Sequence, residues 1–112
     1  MNSILILISS SPESSHALEA LKLAYNMKHR GHEVAVYLLQ DAIYHALPNG
    51  LQQGGSYDRH DEEEKISWYC LEEDLAMRGY QREEIIPRVR LSNYDELVEM
   101  MTERYGKTIG VF

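Results

Sequence analysis

A three-layer α/β/α sandwich on a mostly parallel sheet is the fold this sequence predicts, and three observations predict it. Strand-like apolar runs alternate with helix-like stripes along the chain. The first run, ILILI at 4–8, is continuously aliphatic, as strands buried on both faces of a parallel sheet are. The segments between runs end on helix-stop pairs, Arg30-Gly31 and Arg78-Gly79, as helical crossovers between parallel strands should.

The elements follow in order. Ser3 to Ser9 is the first strand. The turn Ser9–Ser15, rich in helix-capping serines, opens a helix that runs to about Arg30. Leu18, Leu21 and Tyr25 line one stripe of it, with Ala17, Ala20 and Ala24 beside them. Glu33 to Leu39 is a second strand. Asp41 can cap a short helix, Ala42 to Leu47, which Pro48-Asn49-Gly50 ends. Residues 48–64 break the rhythm with three glycines, one proline and few apolar residues, and read as a long loop. Ile66 to Tyr69 is a short third strand, and Leu71 to Arg78 a helix. Val89 to Leu91 is a minor strand. Ser92 or Asn93 caps a helix carrying Leu97, Val98, Met101 and Tyr105, which Gly106 closes. Thr108 to Phe112 is the last strand. Tyr25, Tyr37, Tyr69 and Tyr105 fall at core positions. This order of elements predicts a flavodoxin-like sandwich with four or five strands, and residues 1–112 as one domain.

Composition removes several function classes. The chain has 112 residues, 18 acids, 11 bases and a formal charge of −7. Nucleic acid and anionic membrane surfaces reward a basic face, so neither is expected as a partner. No apolar run approaches the ~20 residues of a membrane helix. The opening run lacks the basic flank of a secretion signal, so the cytoplasm is the expected compartment. The one cysteine, Cys70, cannot form an internal disulfide. None of the five histidines is spaced with Cys70 as zinc ligands are, so no metal is expected.

Ligands of open α/β sheets bind outside the carboxyl ends of the strands. A 2-1-3 strand order would set Cys70 across one crevice from the Ser9–Ser15 turn. Cys70 would also lie at a helix N-terminus, which favours a thiolate. Glu72, Glu73 and Asp74 oppose that charge. Read locally, Cys70 is either a working thiol or a small core residue. The serine turn could cradle a flavin phosphate, with Tyr44 and Tyr57 as walls. It has no glycine to let the backbone close on one, and helix capping explains it as well. His45 or His60 could lie near Cys70 and lower its pKa, and Asp41 is better read as a cap than as an acid catalyst.

Together, four stretches resemble the DsrE/TusD family of sulfur-relay proteins over nearly the whole length. ILILISSSPESSHALEALKLAYNMKHRGHEV resembles the family's opening strand, small-residue turn and alanine-rich helix. AVYLLQDAIYHAL resembles its second strand and turn. Cys70, ahead of Arg78-Gly79, resembles its sulfur-carrying cysteine, and RLSNYDELVEMMTERYGKTIGVF its closing helix and strand. The resemblance implies a persulfide carrier. Cys70 would take a sulfane sulfur from a donor protein and pass it to an acceptor thiol, with no cofactor, in a homo- or hetero-oligomer of trimeric or hexameric form. The family also has members that serve as non-catalytic assembly or interaction subunits, and these form the alternative. A small flavin- or nucleotide-binding protein is the third reading.

Overall fold

The computed structural model describes residues 2–48 and 66–111. The chain forms five strands: β1 (Ser3–Ile8), β2 (Glu33–Leu38), β3 (Ser67–Leu71), β4 (Val89–Ser92) and β5 (Lys107–Val111). Between them lie α1 (Ser15–His29), a 3₁₀ helix (Gln40–Ala46), α2 (Glu72–Met77) and α3 (Tyr94–Glu99). The last of these runs on into a π-helical turn, Met100–Arg104. All strand pairs are parallel. The result is the flavodoxin-like three-layer sandwich that the sequence predicts.

The strand order is β4-β3-β2-β1-β5, not the expected 2-1-3. Handedness explains which layer each helix joins. The first four strands step across the sheet in one direction, so right-handed crossovers put every connection on one face. Accordingly, α1, the 3₁₀ helix and α2 share one core with Ile4, Ile6, Ile8, Val36 and Trp68. The step from β4 back to β5 reverses direction, so α3 must cross the other face. There Leu97 and Met100 pack on Leu5, Leu7, Tyr37, Tyr69 and Leu71. The rings of Tyr37 and Tyr69 stack at 6.0 Å across β2 and β3.

Local chemistry sets the element ends. Ser14 caps α1 by accepting from the His16 N–H at 3.1 Å. Asn93, rather than Ser92, caps α3, its Oδ1 accepting from the Glu96 N–H at 2.9 Å. Gly31 and Gly79 take φ of 95° and 83° just past α1 and α2, where other residues would be strained. The inward face of α1 is Ala17, Ala20, Leu21 and Ala24, while Leu18 is exposed. Leu21 of the expected stripe and the three alanines beside it face the sheet, whereas Leu18 does not, because the small alanine side chains let the helix axis approach the sheet closely on their side.

The short helix after β2 is a 3₁₀ turn with Leu39 at its cap position and no side-chain cap, so Asp41 does not cap it. Residues 49–64 of the expected long loop, with Tyr57 and His60, lie outside the described residues.

Candidate functional site

Three connections meet at the carboxyl edge of the sheet: the serine turn after β1, the 3₁₀ helix after β2, and the β3–α2 junction that carries Cys70. The strand order separates the first from the third. β2 lies between β1 and β3, so Cys70 and the serine turn do not flank one crevice. The reversal of direction falls between β1 and β5. There the backbone is continuous, the Ser9 N–H donating to the Val111 carbonyl at 3.3 Å.

Cys70 stands inside β3, one residue from its end, and not beyond it as the sequence suggests. Its backbone is paired to Leu38 of β2 and Leu91 of β4. The alternation of a strand turns Trp68 and Cys70 to the face where Leu75 and the 3₁₀ helix pack. The side chain is 0% exposed. Burial, with a contribution from the Asp74 carboxylate, pushes the thiol up to about 12. Desolvation and a neighbouring carboxylate both disfavour a thiolate, and the helix that follows is too short to offset them.

Asp74 opposes the thiolate as the sequence predicts, but its structural tie is one that sequence reasoning missed. Asp74 is nearly buried and accepts the Gln40 N–H at 2.7 Å. Gln40 has φ of 51°, the one non-glycine residue in the left-handed region among the described residues. A strained backbone persists where neighbours over-determine it, and here the carboxylate holds it. Arg78, one turn beyond Asp74, donates from Nη1 to the Asp74 carbonyl at 3.3 Å. Its Nε and Nη2 donate to Asp41 Oδ1 at 3.2 and 3.1 Å. Asp41 thus pairs across to α2. The ties among Gln40, Asp41, Asp74 and Arg78 fasten the start of the 3₁₀ helix to the end of β3 and α2. The i, i+4 spacing of Asp74 and Arg78 was the available signal. Nothing in the sequence marks Gln40.

His45 lies nowhere in this cluster. It is buried, and its Nε2 lies 3.1 Å from the Ser10 carbonyl. A carbonyl only accepts, so that nitrogen carries the proton. Burial holds the imidazole below its usual value, outweighing the Ser10 carbonyl and Glu13, which act the other way. His45 therefore pins the serine turn to the 3₁₀ helix as a neutral donor.

Between the serine turn and the 3₁₀ helix a groove of about 760 Å³ opens toward the segment after α2. Tyr44 and Tyr80 form one wall, edge to face at 6.0 Å. Glu13, Asp41, Glu83 and Glu84 supply its charge. A lining of carboxylates repels phosphate, which disfavours the flavin or nucleotide reading of the serine turn. Among the described residues no group of three or more His, Cys, Asp or Glu side chains is arranged to hold a metal ion. No helix among them is long and apolar enough to cross a membrane.

Comparisons with known proteins agree with this architecture. The ychN protein from E. coli superposes with a TM-score of 0.82 at 18% identity, covering 98% of this chain and 99% of that one. The protein of unknown function MTH1491 from Methanobacterium thermoautotrophicum superposes at 0.81 and 12% identity, with the same coverage. At these identities the likeness is one of fold. No curated protein matches the chain. A family model, DsrH-like protein, matches residues 11–106. The resemblance to DsrE/TusD thus holds at the level of the wider superfamily. The match begins in the serine turn after β1 and ends just before β5, so it covers well over half of the chain, and the chain belongs to the DsrH-like family of sulfur-relay fold proteins.

Proposed function

We propose that this chain is a non-transferring subunit of a sulfur-relay assembly, a folded module that docks beside a sister subunit and carries no sulfur itself. The observation that carries this reading is the closed state of Cys70. A persulfide carrier needs a thiolate that a partner's sulfur can reach. Cys70 has no exposed surface, and its thiol stays protonated at neutral pH.

The docking face we assign to this role is the outer side of α3 and its π-helical extension. Tyr94, Val98 and Met101 recur there at helical spacing and are 52%, 57% and 41% exposed. Asp95, Glu96, Glu99 and Glu103 belong to the same segment, and although Arg104 pairs with Glu96 and Glu99, the segment keeps a net negative charge. A second copy would bring like charges together, so the fitting occupant is a sister subunit with an apolar centre and a basic rim.

A second reading keeps Cys70 as the persulfide site. Its support is the cysteine's place, one residue from the carboxyl end of a strand in a chain of this family. Transfer would then require the β3–α2 junction to open.

Intact mass separates the two readings. The reduced protein is incubated with a sulfane-sulfur donor beside Cys70→Ser. The non-transferring subunit stays at its starting mass. An adduct about 32 Da heavier, lost to added thiol and absent from the variant, overturns this reading in favour of the carrier.

A further inference from the structure

The groove at the carboxyl edge is distinct from both Cys70 and the α3 face. Its volume of about 760 Å³ falls within the ~300–1,000 Å³ range of ligand sites. It is a formed feature. The Ile86 N–H donates to the Ala46 carbonyl at 2.8 Å and ties the segment after α2 to the 3₁₀ helix. The Gln81 side chain and Glu84 form a reciprocal cap that fixes the turn bearing Glu83. The wall tyrosines are half-buried, so their positions are set by packing.

Its chemistry has one sign. Four carboxylates line it, and no lysine, arginine or histidine does among the described lining residues. Three of the four have work within the fold, Glu13 accepting from the Ser11 hydroxyl and its own backbone N–H. Asp41 receives Arg78, and Glu84 accepts the Gln81 N–H at 3.0 Å. Glu13 and Glu83 are exposed at the surface. Tyrosine faces add attraction for a cation that has a flat or aliphatic body. A planar guanidinium meets both demands, stacking on a ring while its fork reaches a carboxylate.

We infer that the groove binds an arginine side chain presented by an extended segment of a partner protein, with Tyr44 and Tyr80 as the wall and Glu13 and Glu83 as the anionic rim. The volume exceeds one arginine, so flanking residues of the segment sit in the groove as well. This inference stands apart from the docking role given to α3 and from the state of Cys70, and either can fail without the other.

The test uses the full chain, isotope-labelled, titrated with the blocked peptide Gly-Ala-Arg-Ala-Gly and followed by NMR. Parallel titrations use citrulline in place of arginine, glutamate in place of arginine, and free spermidine. The expected result is saturable shifts at Tyr44, Tyr80 and Glu83, with the citrulline peptide at least tenfold weaker and the glutamate peptide silent. Glu13→Gln with Glu83→Gln, both surface changes that leave the fold intact, should weaken the arginine peptide about tenfold. Spermidine should bind less tightly than the peptide. Equal binding of the citrulline peptide, shifts scattered away from the groove, or no shifts at millimolar peptide would overturn the inference. Spermidine binding as tightly as the peptide at the same residues would overturn the peptide source in favour of a free polyamine.

Discussion

Cys70 and His45 show how one environment suppresses two reactive side chains in opposite ways. Both are buried at the carboxyl edge, and burial favours the neutral form of each. For the thiol that means a raised pKa, for the imidazole a lowered one. The histidine has a consequence for stability. Because its folded value lies below its unfolded one, the unfolded chain takes up the proton first as pH falls. Its stabilising contribution is complete above the unfolded value of about 6.5 and is lost as pH drops from there toward the folded value. Thermal melts of the protein and of His45→Gln at pH 7 and pH 5 check this. The expected outcome is a larger loss of Tm in the protein than in the variant. An equal loss would mean that His45 does not titrate against folding. At this scale the sequence said little. Composition marked Cys70 as the only thiol, but its direction depends on one residue of strand length. The sequence ends the strand at Tyr69, whereas β3 runs to Leu71 and carries Cys70 into the sheet.

At the scale of elements the sequence was more informative, because periodicity and end signals are local. The five strands, α1 and its Gly31 stop, and the Asn93 cap fall close to where patterning places them. The errors have physical causes. On α1 the departure is Leu18, which is exposed while Ala17, Ala20, Leu21 and Ala24 are buried, because packing on the sheet centres the inward face on the alanines, which a single helix pattern does not encode. Local pattern makes Asp41 a cap, because caps are local, but its actual partner, Arg78, is 37 residues away. On α3 and its π-helical extension, Leu97 and Met100 face the sheet while Val98 and Met101 face out. Periodicity alone shows apolar residues on both sides of that helix. The outward set is the basis of the docking proposal. Val98→Lys places a charge at its centre without touching the core. Sedimentation of the protein with a sister subunit should then show association at least tenfold weaker than for the unaltered chain. Unchanged association would move the interface elsewhere. Self-association abolished by the same change would identify a second copy as the occupant.

For the molecule as a whole, the layer architecture was legible and the strand order was not. Alternating strands and helices dictate a parallel sheet covered on both faces. They do not say at which step the chain reverses. Here it runs four strands in one direction and returns once, so β2 separates Cys70 from the serine turn and the groove forms against the 3₁₀ helix instead. The acidic balance read from composition reappears as the rim of that groove. Cys70 is enclosed by both neighbouring strands and by the helical layer above it, so a reagent reaches it only when the structure opens broadly. That makes the thiol a reporter of global unfolding.

The most direct test of the closed cysteine is the rate at which a small thiol reagent labels the reduced protein at pH 8, followed by mass against increasing urea. The account predicts labelling about 10³-fold or more slower than in the unfolded chain, with a urea dependence that matches global unfolding. Labelling within about tenfold of the unfolded rate, and insensitive to low urea, would contradict it and make Cys70 an accessible thiol.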